Sequence, residues 1–343
     1  FALVLTVAAV PATGRDFAWI YERQDQTSFL DGHVRAFAHF GGVPALSGVG
    51  QFAAAQPPVL VTKALRVELT GTEEALWRFV PRSGAPAQAF APPVFPIDGR
   101  PVKAVLGGVV AVGEPAMLPN GVFEHTFRGT LREDPSLGLE LRFRLSEDGP
   151  ILRFAYRLTS TRPRAFTRSG REDELVYLGT TFAGLPEARE VRLSEFVELL
   201  HSYTLSERGV PDSHFEAGLS AMGPLLAATD GKRTLLLAYE HGSQAPDAFL
   251  RYDLAPGRRL TLRAVKGSYW SGLTVDAAHP YDSPWMQAGL LAGDLDWTAE
   301  AYRAFVRNEL SQNAETRAPR VHYNTWNFQE RNKHWNGKPY LES

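Results

Sequence analysis

Hydrophobic and polar residues alternate through most of the chain, from about Val59 to Gly293. In LGLELRFRL, Leu137, Leu139, Leu141, Phe143 and Leu145 fall on one side and Glu140, Arg142 and Arg144 on the other, the period-2 signature of a strand with one buried face. SEDGP supplies a turn, and ILRFAYRL returns with Leu152, Phe154, Tyr156 and Leu158 inward, so the pair predicts an antiparallel hairpin. PLLAATDGKRTLLLAYE reads as a second hairpin turning at Asp230 and Gly231, because Asp-Gly supplies the positive-φ residues that a tight turn needs. ALRVELTG, LVYLGTTFA and AFLRYDLAPGRRLTLRAV add strands at short spacing, separated by Gly and Pro. Many such strands predict a large β-sandwich over residues 57–293.

Two segments switch to a helical period. DQTSFLDGHVRAFAHFGG spaces Phe29, Leu30, Val34, Phe37 and Ala38 as one face of a helix, with Ser28 and Asp31 fitting a capping box. DWTAEAYRAFVRNEL places Trp297, Tyr302, Phe305, Val306 and Leu310 on or near one face and predicts a helix that links the sandwich to the C-terminal segment. After a polar stretch at 311–319, RVHYNTW returns to a strand-like pattern, so a further domain is expected from about Arg320. Expected units are therefore residues 1–50, the sandwich at 57–293, a helix and linker at 294–319, and a new domain at 320–343.

Composition narrows the chemistry. The 343 residues carry a net charge of −2, so the totals hold no electrostatic footprint for nucleic acid or an anionic membrane. The chain has no Cys, which removes disulfides, thiolate zinc sites and a cysteine nucleophile. FALVLTVAAVPA is too short an apolar run to span a bilayer and has no basic flank before it; a strand and the remnant of a signal peptide are the two readings it allows. His201, His214 and His241 lie in separate segments without metal-ligand spacing, and no phosphate loop, serine elbow or dinucleotide fingerprint occurs. No metal, cofactor, nucleic acid or membrane partner is expected.

Five of the seven Trp lie between Trp270 and Trp335, which directs any search for a carbohydrate surface toward the C-terminal end. Indole rings stack on the C–H faces of sugars, and amides and carboxylates bridge vicinal hydroxyls. Asn324, Trp326, Asn327, Gln329 and Glu330 leave a short strand together and suit that task; the competing reading is a core Trp beside solvated amides. The stretch Ser268–Trp285 also has two readings, a sandwich loop reaching toward a binding mouth or Trp270 and Trp285 filling the core.

The segment PRVHYNTWNFQERNKHW, after a long β-rich region and one amphipathic helix, resembles the start of the catalytic barrel in glycoside hydrolase family 36, the bacterial α-galactosidases. Tyr323, Asn324, Thr325 and Trp326 match the signature of that family's first barrel strand. The resemblance implies a β-supersandwich, a linking helix and the first strand of a (β/α)8 barrel, with Trp326, Asn324 and Asn327 contacting substrate. Many members carry an aromatic residue where Asn327 stands. It implies α-galactoside oligosaccharides as substrates of the intact parent, and homo-oligomer contacts through the sandwich. In the family both catalytic carboxylates are Asp residues on later barrel strands, so no catalytic residue is assigned, and the 343 residues alone are expected to be inactive. NGKPYLES reads as the opening of the first barrel helix, with Pro339 near its first turn, so the barrel is expected to be truncated.

Residues 1–46 have a different pattern. FAWIYERQDQTSFLDGHVRAFAHFGGVP resembles DDE transposases of the insertion sequence 21 type, whose core is RNase H-like. The acidic residue that comes after Phe-Gly-Gly-Val-Pro there is missing after Pro44, and Asp16, Asp25 and Asp31 lie off the expected positions, so no two-metal site can be assembled. The two resemblances together imply a chimera joined between Leu46 and Pro57; the alternative is a small helical cap native to the sandwich. At the level of the whole chain, the rival functions are a non-catalytic carbohydrate-binding or assembly module and a DNA-handling protein.

Overall fold

The structure is a computed structural model that describes residues 58–82, 84, 86–167, 175–181, 190–199, 202–210, 218–240, 250–264, 272–313 and 315, with backbone alone at 190, 193–199 and 202–210. The described residues are mainly β. The largest sheet has eleven antiparallel strands. Its main path runs Ser202–Val210, Glu190–Leu199, Leu225–Thr229, Arg233–Tyr239, Met286–Ala292, Ile151–Ser160, Leu137–Leu145, Phe123–Thr130 and Val110–Ala111. Opposite it lie a four-stranded sheet that begins at Val59–Val61 and a six-stranded sheet centred on Arg259–Ala264 and Val176–Thr181. One hydrophobic cluster joins the layers, from Leu60 and Val67 through Phe143 and Tyr156 to Leu262 and Ala288. This is the two-layer sandwich that the alternation predicts.

The first predicted hairpin forms as Leu137–Leu145 paired with Ile151–Ser160, with Phe143 opposite Phe154. Leu137, Leu139, Leu141, Phe143 and Leu145 are all buried, and Glu140, Arg142 and Arg144 face the other way, half-buried. The returning strand departs from simple alternation, because Ile151, Arg153 and Ala155 are buried as well as Leu152, Phe154 and Tyr156. The linking helix covers part of this outer face, packing Phe305 against Ile151, Ala227, Leu236 and Leu291.

The second hairpin, Leu225–Thr229 with Arg233–Tyr239, turns where predicted. Only Gly231 adopts positive φ; Asp230 instead accepts the N–H groups of Lys232 and Arg233 at 2.8 and 2.7 Å. Helix α1, Leu295–Phe305, starts at Asp294, whose carboxylate accepts the N–H of Trp297 at 3.0 Å, and continues into a π turn at Val306–Leu310. Trp297, expected on or near the packed face, is 64% exposed. Its indole lies against Gly293, where φ is +104° and a Cβ would meet the ring at 2.9 Å. The expected helix at 28–40, the strand at 320–326 and the 1–46 segment lie outside the described residues.

Candidate functional site

Asn324, Trp326 and Asn327, the substrate contacts implied by the sequence, lie outside the described residues, as do Trp270, His201, His214 and His241. The described residues do fix what leads toward them, namely α1 and the outer face of the large sheet on which it packs. Strand Met286–Ala292 ends at Gly293, whose N–H donates to the Lys232 carbonyl at 2.6 Å and whose carbonyl accepts from Thr234 Oγ1 at 3.1 Å. Asp294 then starts the helix, so its direction is set by the hairpin turn at 229–234.

A polar chain runs from the helix across the sheet. Tyr302 Oη donates to Gln287 Oε1 at 2.9 Å, and Gln287 Nε2 donates to Glu240 Oε1 at 2.9 Å. Glu240 accepts both Nε and Nη2 of Arg153, each at 2.6 Å, the paired geometry that makes an arginine–carboxylate contact strong. The Arg153 guanidinium lies 5.1 Å from the Trp285 ring centre, with Arg144 at 4.1 Å and Arg142 at 5.4 Å. Cross-strand register explains the gathering, since Arg144 is directly opposite Arg153 and Arg142 opposite Ala155. Trp285 is therefore half-buried under cations on the outer face, rather than in the core.

Carboxylates on adjoining elements balance these cations. Glu124 accepts from Arg144 at 2.5 Å, and Asp282 pairs with Arg142 and takes Nε and Nη2 of Arg157 at 2.9 and 3.1 Å. Burial holds the Arg144 guanidinium below its usual range. Burial pulls on Arg157 in the same sense, but the Asp282 hydrogen bonds outweigh it and the net shift is upward. With these ion pairs made and the indole lying under the guanidinium groups, the cluster ties neighbouring strands together. It offers neither a free nucleophile nor a separated acid and base.

A second feature lies at one end of the sandwich, a cleft of about 320 Å³ lined by Val61, Glu114, Phe123, His125, Ser146 and Glu147 among others. Burial holds the His125 imidazole below its usual pKa and so favours the neutral form. Among the described residues no group of three or more His, Cys, Asp or Glu is placed to hold a metal ion.

Glu309, on the π turn, is a functional-looking residue that the sequence pattern did not single out. It is 9% exposed, and burial pushes its carboxyl up to about 7 against the opposing hydrogen bonds from Ser146. Its spacing, four residues after Phe305, puts it on that residue's face, but a carboxylate there reads as solvated until the π turn is seen.

No protein-family model and no curated protein sequence matches the chain. Solved structures do resemble it. A variant of the GH36 α-galactosidase AgaA from Geobacillus stearothermophilus, in complex with stachyose, superposes with a TM-score of 0.50 at 8% identity, covering 77% of this chain and 44% of that one. The described residues thus have the fold of the N-terminal sandwich region of GH36 α-galactosidases. The α-galactosidase from Lactobacillus brevis has a TM-score of 0.47 at 9% identity, covering 73% of this chain and 41% of its own. The α-N-acetylgalactosaminidase NagBb from Bifidobacterium bifidum has a TM-score of 0.42 at 10% identity, with 73% and 38% coverage. The chain spans less than half the length of each of these proteins.

Proposed function

We propose that this chain is the N-terminal part of a retaining, α-galactosidase-like glycoside hydrolase, comprising the supersandwich, the linking helix and the first barrel strand. The observation that carries the reading is the order of elements. A sandwich with the fold of the GH36 N-terminal region leads through a capped helix at Leu295–Phe305 into a segment carrying Tyr323-Asn324-Thr325-Trp326. Barrel enzymes hold substrate at the C-terminal ends of their strands, which suits Trp326, Asn324 and Asn327 as contacts for a terminal galactose. Retaining hydrolysis requires two carboxyl groups about 5–5.5 Å apart, and in this family both stand on later barrel strands. Hydrolysis is therefore assigned to the intact parent, acting on α-linked galactose in oligosaccharides such as the stachyose held by the Geobacillus relative. The sandwich positions the barrel and contributes no acid, base or nucleophile. Residues 1–46 are read as an unrelated transposase-like fragment that takes no part.

One long read of the source DNA tests this. The expected result is an open frame continuing past Ser343 into a barrel with two Asp-bearing strands, whose product releases galactose from an α-galactoside and loses at least a hundredfold in activity on Trp326→Ala. A frame that continues into a different fold, or a full-length product inactive on α-galactosides, overturns the reading.

A further inference from the structure

The end of the linking helix is built around one buried acid. After Phe305 the backbone widens into a π turn at Val306–Leu310, a form that occurs mostly as single turns and frequently at functional sites. The turn delivers Glu309 onto the packed face. The Ser146 hydroxyl and backbone N–H lie beside the carboxyl and favour its ionised form, opposing burial, while Ser146 Oγ accepts the Gly149 N–H at 3.0 Å. Gly149 leaves the necessary room, since a Cβ there would collide with Ser146 Oγ and with the Glu309 carboxylate. On the backbone side, Asn120 Nδ2 donates to the Glu309 carbonyl at 2.7 Å. A single residue is thus gripped at both ends by two loops of the sandwich.

The charged neighbours are mostly committed elsewhere. Arg153 is the cation that acts on Glu309, yet its Nε and Nη2 serve Glu240 and its Nη1 is buried without a partner. The adjoining Arg144 is paired with Glu124. In the hairpin turn, Asp148 pairs with Lys63 and Glu147 is exposed. His125 shares the cleft with Ser146, and Arg307 on the turn itself is exposed. No direct ion pair compensates Glu309 among the described residues.

We propose that Glu309 is a protonation-controlled latch, which as the neutral acid lets the last turn of the linking helix seat in the buried space beside Ser146 and Gly149 and as the carboxylate, disfavoured by burial, lets that turn release. Released, the turn would no longer set the direction in which the chain leaves Leu310. The latch operates whether or not the segment after it enters a barrel. Burial raises the Glu309 carboxyl from 4.5 when free to about 7 when docked. A raised pKa means that the docked state binds the proton more tightly, so docking is strongest below the free value and weakens as pH rises. The loss runs about tenfold per pH unit between the two values and levels above the docked one.

Hydrogen exchange on the full 343-residue chain, corrected for intrinsic rates, tests this at pH 5.5, 6.5 and 7.5. Protection of the amides at 306–310 should fall about sevenfold between the first two points and about threefold between the last two, while the 137–158 hairpin stays constant. Glu309→Gln, a permanently neutral analogue, should hold high protection with no slope. Asn120→Ala should lower protection equally at every pH and leave the slope. If Glu309→Gln does not fold, Ser146→Ala serves instead, and its decline should continue above pH 7 because the hydroxyl that favours ionisation is gone while the backbone N–H remains. A wild-type profile that is flat across this range, or a slope unchanged by Glu309→Gln or by Ser146→Ala, overturns the latch.

Discussion

At the residue scale, the core turns on Trp77. Its ring stacks on Phe90 at 4.0 Å and meets Phe154 and Phe143 edge-on at 4.8 and 5.4 Å, and its Nε1 donates to Tyr156 Oη at 3.1 Å. Both partners of that hydrogen bond are wholly buried, and burial drives the Tyr156 hydroxyl well above its usual range. Tyr156→Phe removes only an oxygen but leaves an indole N–H unpaired in a dry core, which should cost about 1–3 kcal/mol in urea unfolding. In a Trp77→Phe background the same change should cost much less, and equal costs in both backgrounds would show that the hydroxyl acts elsewhere. Charge obeys the same logic. Glu240→Gln leaves Arg153 poorly compensated; breaking a buried pair costs about 3–5 kcal/mol, discounted to about 2 because the Glu240 side chain is a quarter exposed. Lys63→Ala, at an exposed pair, should change stability by less than about 0.5 kcal/mol. None of these roles is visible in the sequence, where Arg153 and Glu240 are far apart and a tryptophan beside a strand reads as core. Trp285 shows why. An aromatic ring can be covered by arginines from neighbouring strands as well as by a core, and register alone decides which.

At the element scale the sequence was far more informative. Strands with one wet face declare themselves by period 2, and Leu137–Leu145 matched residue for residue. The pattern blurs where both faces are covered, as at Ile151–Tyr156, because the covering helix lies far along the chain. Helix α1 was legible from its spacing, but its exit was not, since a Glu on a helical face reads as solvated until the turn that buries it is seen. The three residues named for substrate contact, Asn324, Trp326 and Asn327, rest on resemblance alone. The start of α1 is open to direct test. Asp294→Ala removes the acceptor for the Trp297 N–H and should cost about 1 kcal/mol. The loss should appear as faster hydrogen exchange in the first turn, with the 225–239 hairpin unaffected. Gly293→Ala should be worse, because it adds strain at positive φ to a collision with the Trp297 ring. Equal effects from the two substitutions would mean that the Gly293 conformation is not what holds the helix start.

At the scale of the whole molecule, the described layers share one core that begins at Leu60 and continues to Leu290. Its first strand, Val59–Val61, is an edge of the four-stranded sheet and pairs with Leu65–Leu69 alone. The chimera reading puts a junction just before this strand, between Leu46 and Pro57, where the transposase-like resemblance would give way to sandwich alternation. If that junction separates unrelated pieces, nothing before Pro58 was selected to fill the sandwich, and two strands with one helix are too small to be stable alone. A chain starting at Pro58 should therefore unfold in urea at the same midpoint and with the same cooperativity as the full chain. The amides of residues 1–50 should exchange far faster than those of the 137–158 hairpin. A native helical cap would behave differently, because removing it would uncover apolar area and lower the midpoint, with about 25 cal/mol lost for each Å² exposed. A drop as large as that from Glu240→Gln would thus assign the first 57 residues to the sandwich and set the chimera aside.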